Sequence, residues 1–173
     1  MTLYDSHMLT VSPRPRSGIF GESTNDEAYR VLPGEDRLVR DLMTQEIATS
    51  AASATVREAI EVIKSQNVPI LVVCLETEPV IALTEYDLAI HVVAEDKAGS
   101  TPLHELLKQR MVVRCREDAI LADAISAMLH HRIRHVPVVD VNGDLVGALS
   151  LVDAVGAITP DAAAAWQTKF GQL

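Results

Sequence analysis

The sequence predicts a mixed α/β (α+β) fold assembled from two copies of one small unit, and three observations point there. First, residues 132–155 hold an apolar run (Val136, Val138, Val139), a short turn carrying Asn142 and Gly143, and a second apolar run at 145–149, which together read as a β-hairpin. Second, the block recurs. Residues 71–87 align with 137–153 without a gap, so that Ser150 and Asp153 follow Thr84 and Asp87 by 66 positions, and Glu58, Ala59 and Ile60 match Asp123, Ala124 and Ile125 at 65. Third, hydrophobic residues make up 48% of the chain and aromatics only 3%, so the core must be filled by Val, Ile, Leu and Ala. A unit of this size, with apolar faces left to cover, implies two copies packed on each other.

In chain order, residues 1–36 mix Pro13, Pro15 and Pro33 with Gly18, Gly21 and Gly34 among polar side chains and show no sustained period, which predicts a loose N-terminal arm. The first repeat is assigned to 37–98. Leu38, Val39, Leu42 and Met43 recur at helical spacing over one or two turns, and a short strand follows near 47–49. Thr55 caps a helix whose stripe of Val56, Ala59, Ile60 and Ile63 faces the core while Glu58, Glu61 and Lys64 face water. A strand at 69–73, a turn at 76–78 and a strand at 80–83 precede a helix that Thr84 opens.

Ala98, Gly99 and Pro102 mark the join to the second repeat, assigned to 99–159. Leu103, Leu106 and Leu107 repeat the short amphipathic turn, 111–113 repeats the strand, and 120–131 is a helix presenting Ala124, Ile125, Met128 and Leu129. Past the hairpin, Ser150 stands where a helix begins, with Asp153 three positions on, the spacing of a capping box. Residues 160–173 predict a tail helix capped by Asp161, with Trp166 and Phe170 available to dock on the body or on a second subunit.

Composition narrows the function. A net charge of −9 repels phosphate backbones and anionic lipid, which disfavours nucleic acid as a partner. No apolar stretch approaches the roughly 20 residues a membrane span needs, no secretory leader pattern opens the chain, and cytoplasm is the expected location. Cys74 and Cys115 sit in or beside apolar strands and lack C-x-x-C spacing, so reduced buried thiols are expected and a metal is not. His91 and His104, each on a helix, read as surface or satisfied core residues. No nucleophile paired with a base, metal set or glycine-rich phosphate loop is visible, and the chain is expected not to be an enzyme.

The order helix, strand, helix, strand, strand, helix, run twice with [S/T]-x-x-D after the third strand, resembles the tandem CBS (cystathionine beta-synthase) domain pair, or Bateman module, over about residues 38–158. The likeness is densest in I-R-H-V-P-V-V-D at 133–140 and G-A-L-S-L-V-D at 147–153; the first half lacks a counterpart of Pro137 and has Glu76, Thr77 and Glu78 in place of a glycine turn. The resemblance implies two repeats related by pseudo-twofold symmetry, non-catalytic, binding AMP, ADP, ATP or S-adenosylmethionine in clefts between them. Carried across by motif, Asp87 and Asp153 would take ribose hydroxyls while Thr84 and Ser150 approach phosphate. The stretch from His131 through Arg132, Arg134 and His135 to Pro137 is also similar to the segment with which gamma subunits of AMP-activated protein kinase place basic side chains on phosphates. A homodimer acting on a regulated protein in trans is the implied mode of action.

The residues themselves leave alternatives open. Each [S/T]-x-x-D is also what a plain helix cap looks like, and only the recurrence in register argues for more. A cluster of His130, His131, Arg132, Arg134 and His135 in an acidic chain suits phosphate, because guanidinium forks match its geometry. It equally suits a solvated helix end favoured by the dipole. The rival to a ligand sensor is a ligand-free dimeric scaffold with both corners vestigial.

Overall fold

The computed structural model describes residues 8–13, 37–76, 78–107 and 112–158. Two βαββα units follow one another. The first comprises β2 (Ile47–Ala51), α1 (Val56–Gln66), β3 (Ile70–Leu75), β4 (Glu78–Leu83) and α2 (Glu85–Val93). The second comprises β5 (Val112–Arg116), α4 (Leu121–His131), β6 (His135–Val139), β7 (Leu145–Ser150) and α5 (Leu151–Ile158). A 3-10 turn at Val39–Asp41 leads into the first unit and a short helix, α3 (Leu103–Leu107), into the second. The tail from 159 onward, with Asp161, Trp166 and Phe170, lies outside the described residues.

Local chemistry accounts for the helix starts. Thr55 Oγ1 accepts from the Glu58 amide at 3.3 Å while the Glu58 carboxylate accepts from the Thr55 amide at 2.7 Å, a reciprocal cap that satisfies two orphan donors of α1. Val56, Ala59 and Ile63 are buried beneath it, but Ile60 is 46% exposed and is not part of the core stripe assigned to it. Ile60 instead lines a groove shared with α2. In the second hairpin the connection runs from Asp140 to Asp144, where Gly143 has φ +92° and the Asp140 carboxylate accepts from the amides of Asn142 and Asp144.

The strands form one sheet in the order β2-β3-β4 and another in the order β5-β6-β7, parallel then antiparallel in each. The residues of β3 alternate between two cores. Leu71 and Val73 face α1, whereas Ile70 and Val72 meet Ala82 and Ala148 between the sheets. Burial on both faces explains why this strand reads as an unbroken apolar run rather than an alternation.

The two lead-in segments cross over. Val39 packs in the second core and donates its amide to Ala119 O at 3.0 Å, and Thr44 exchanges two backbone hydrogen bonds with Ala148 of β7, each 2.9 Å. Conversely, Leu103 and His104 donate amides to Ala54 O and Ala52 O at 2.8 Å, and Leu103 lies in the first core. Each half is thereby completed by the other's leader.

A further strand, β1 (Met8–Val11), pairs in parallel with β5 from the far edge. Thr10 and Val11 are β-branched and Pro13 follows, which suits a short edge strand with a sharp end. The arm thus contributes an ordered element where its composition announces none.

Candidate functional site

Two local motifs converge between the halves. The first is the α2 corner. Thr84 donates both its amide (3.0 Å) and its hydroxyl (2.7 Å) to Asp87 Oδ2, and Thr84 Oγ1 accepts from the Asp87 amide at 3.3 Å. The capping box holds the Asp87 carboxylate by one oxygen, Oδ2.

The second is the α4 to β6 connection. Helix α4 ends on Arg132 in the left-handed conformation (φ 56°), and the amide of Ile133 reaches back to Met128 O at 2.8 Å, a 6→1 closure that reverses the chain. The following residues enter β6, with the Leu151 amide donating to Arg134 O at 2.8 Å at the start of α5. Arg132 and Arg134 are therefore held exposed at a rim, while His135 is half-buried beneath them.

These pieces enclose a cavity of about 460 Å³, inside the roughly 300–1,000 Å³ span of small-molecule sites. Its apolar wall is Val80, Ile81 and Ala82 of β4 with Val113 of β5; its polar wall is Asp87, His131, Arg132, Arg134 and His135. Tyr86, which sequence reading passes over, completes it. Its ring lies 5.0 Å from the Arg134 guanidinium, a cation–π contact that holds that side chain over the mouth. The only signal for Tyr86 was its place inside the T-x-x-D motif, at an exposed first turn.

His135 carries the site's electrostatics. Burial depresses its pKa below the ordinary imidazole value; the Asp87 and Asp153 carboxylates pull it back up and the Arg134 charge pushes it down. Its Nδ1 is buried with no protein hydrogen-bond partner, a costly condition.

The structure thus gathers Asp87 from one repeat with Arg132, Arg134 and His135 from the other. Thr84, Ser150, Asp153 and Pro137 are not on that wall. Thr84 acts behind Asp87 as its cap, and Pro137 is buried within β6. Ser150 Oγ meets the Asp153 amide at only 3.5 Å, Asp153 is exposed, and neither residue lines either of the two cavities described. The strand before the second corner is also covered differently. Gly147, which stands where the first repeat has Ile81, lies under the lead-in at Met43 and Thr44, so close that a Cβ there would be 2.5 Å from Thr44 O.

Among the described residues no cluster of His, Cys, Asp and Glu could hold a metal, and no helix is long and apolar enough to cross a membrane. Cys115 is buried and Cys74 half-buried, both free; His104 Nδ1 lies 3.2 Å from Ala52 O. The side chain of His91 is outside the described set.

Two βαββα repeats with an acid from one facing a basic segment of the other define a two-repeat module with an inter-repeat cleft. A family model for the CBS domain matches residues 105–160. The CBS domain-containing protein YhcV of Bacillus subtilis (strain 168) is 34% identical over 115 residues, spanning 66% of this chain and 81% of that protein. The CBS domain protein PAE2072 from Pyrobaculum aerophilum, solved in complex with AMP, superposes with a TM-score of 0.58 at 26% identity, over 68% of this chain and 89% of that one. A putative signal-transduction protein with CBS domains from Burkholderia ambifaria MC40-6 gives 0.54 at 27% identity, over 68% and 85%. The chain belongs to the CBS domain family and carries the domain as a pair.

Proposed function

We propose that this protein is a non-catalytic sensor that binds an adenine nucleotide in the cleft lined by Asp87, Arg132, Arg134 and His135. The observation that carries the reading is the charge pattern across one cavity: a half-capped carboxylate from the first repeat opposite two guanidiniums and an imidazole from the second. A carboxylate oxygen accepts from both hydroxyls of a ribose, guanidinium forks match phosphate oxygens, and the aliphatic wall of Val80, Ile81 and Ala82 suits a base. AMP in PAE2072 is the supporting precedent. Phosphate is a better match to this rim than the cationic sulfonium of S-adenosylmethionine, because the rim is itself cationic.

A ligand that touches both repeats stabilises one tilt of the pair over others by its differential affinity, and that tilt is the signal. The receiver is a second copy of the chain or a regulated protein in trans. An apolar groove of about 720 Å³ between α1 and α2, flanked by exposed Ile60 and Val93, supports self-association. The setting is cytoplasmic.

Calorimetry with AMP, ADP, ATP and S-adenosylmethionine against the wild type and Asp87→Asn tests the reading. Binding of at least one phosphorylated adenosine, weakened about tenfold or more by the loss of one charge at the ribose subsite, is expected. Absence of heat with all four, together with no rise in melting temperature, leaves the scaffold reading in its place.

A further inference from the structure

The two repeats differ in one ladder. In the first, β2 pairs with β3 across five residues, Ile47↔Ile70 through Ala51↔Cys74. In the second, the equivalent β5 to β6 ladder holds only Cys115↔Val138 and Arg116↔Val139. The first half of β5, Val112 to Arg114, therefore makes no ladder pair with β6, which begins at His135. The cavity opens at this wedge: Val113 lines it on one side and Arg134 and His135 on the other.

A strand end without ladder partners frays, because its amides and carbonyls have only water to bond. Here β1 holds the stretch from its other edge, bonding the backbone groups that point that way. It runs along the opposite edge of β5 in the register Met8↔Val112, Leu9↔Val113, Thr10↔Arg114 and Val11↔Cys115, which covers the stretch that β6 leaves. Two side-chain contacts hold it there. Thr10 Oγ1 accepts from Arg114 Nε at 3.0 Å, and Val11 packs against the second core, whereas Leu9 is exposed.

We propose that the N-terminal strand is a detachable clamp for the cleft: by holding Val112 to Arg114 in place it positions the Val113 wall, so docking of β1 and occupancy of the cavity favour each other. The second half of this statement rests on the nucleotide reading above; the first does not. The reciprocity is obligatory, since two binding events coupled through one element shift each other by the same factor. Any process that removes the strand, whether proteolysis or capture by a partner, would then lower ligand affinity without touching a ligand contact.

The full-length chain tests it with Val11→Asp, which places an unpaired charge in the second core and so undocks the strand, beside Thr10→Val, which removes only the Arg114 hydrogen bond, and the exposed control Leu9→Thr. Hydrogen exchange is read first, without ligand. Those amides of 112–114 that face β1 should exchange at least tenfold faster in Val11→Asp and detectably faster in Thr10→Val, with no change in Leu9→Thr. Unchanged protection at Leu71 to Val73 in the other repeat reports that the fold persists. AMP affinity should fall about tenfold in Val11→Asp, and saturating AMP should slow exchange at residues 9–11 of the wild type by a similar factor. Unaltered exchange at 112–114 in both variants overturns the clamp whether or not AMP binds. Faster exchange with undiminished AMP affinity overturns the coupling. A wild type that binds no adenosine ligand refutes the nucleotide reading instead, and the exchange comparison still decides the clamp.

Discussion

Arg132→Asn separates what the α4 corner costs from what it does. The corresponding C-cap of the first repeat is Asn67, and the two share one conformation, φ 51° and ψ 43° at Asn67 against φ 56° and ψ 40° at Arg132. That region is unfavourable for a residue with a Cβ by roughly 1–2 kcal/mol, and Asn avoids part of this by local hydrogen bonding. Arg132 is exposed, so the truncation removes little buried surface. The variant should therefore gain about 0.5–1 kcal/mol, raising the melting temperature by about 1–4 °C for a chain of this size. Binding should move the other way. A charge-assisted bond from a guanidinium to phosphate is worth about 1.5–3 kcal/mol, so AMP affinity should drop by roughly ten- to hundredfold. Scanning calorimetry and titration calorimetry on the same preparation read both effects. Asn67→Arg, the reverse exchange in the other repeat, should destabilise by a similar amount and leave AMP affinity alone. If Arg132→Asn melts no higher than the wild type and binds AMP equally well, the corner is neither strained nor used for phosphate.

Three further outcomes follow from named contacts. The neutral imidazole of His135 is favoured by the fold, so the unfolded chain takes up its proton first as pH falls: stability should decline from about pH 6.5 downward as that site titrates. Phosphate near the ring favours its charged form, so AMP should bind more tightly over the same window; His135→Asn should flatten both profiles in melts and titrations run from pH 7.5 to 5.5. Gly147→Ala should destabilise by about 1–3 kcal/mol in a urea melt, because the added Cβ meets Thr44 O at 2.5 Å and the bridge from Thr44 to Ala148 must shift. Burial pushes the Cys115 thiol up to about 12 and raises that of Cys74 less, so a thiol reagent at pH 8 should label Cys74 slowly in the native protein and Cys115 only after unfolding.

The helix caps and the hairpin were legible because each is written in neighbouring residues, and the repeat because those local patterns recur 66 positions on. Thr55 with Glu58 and Thr84 with Asp87 are reciprocal caps at the spacing that announces them, and Asn142 with Gly143 marks its turn. The run at 70–73 identified a strand, and its lack of alternation is the mark of burial on both faces. Ile60 went the other way: helical spacing places it beside Val56 and Ile63, but whether a flank of the stripe is covered depends on how far the sheet extends. The strand at Met8–Val11 was invisible for a related reason. Four residues carry little periodicity, and what makes them a strand is the free edge of β5, more than a hundred positions away.

The sequence by itself determined that there are two copies of one unit, where their helices and strands begin, and which residues bear acid, base and aliphatic surface, since these follow from spacings within a dozen positions and from the recurrence of those spacings 65 to 66 positions on. Only the tertiary structure decided that the lead-ins exchange between halves, that Asp87 faces Arg132, Arg134 and His135 across the repeat boundary, and that the corner at Ser150 and Asp153 differs from its twin. The reason is that a repeat encodes the same local rules twice, while small departures from it, such as Gly147 against Ile81 or a ladder that stops at Cys115, break the symmetry only when the two copies are brought together.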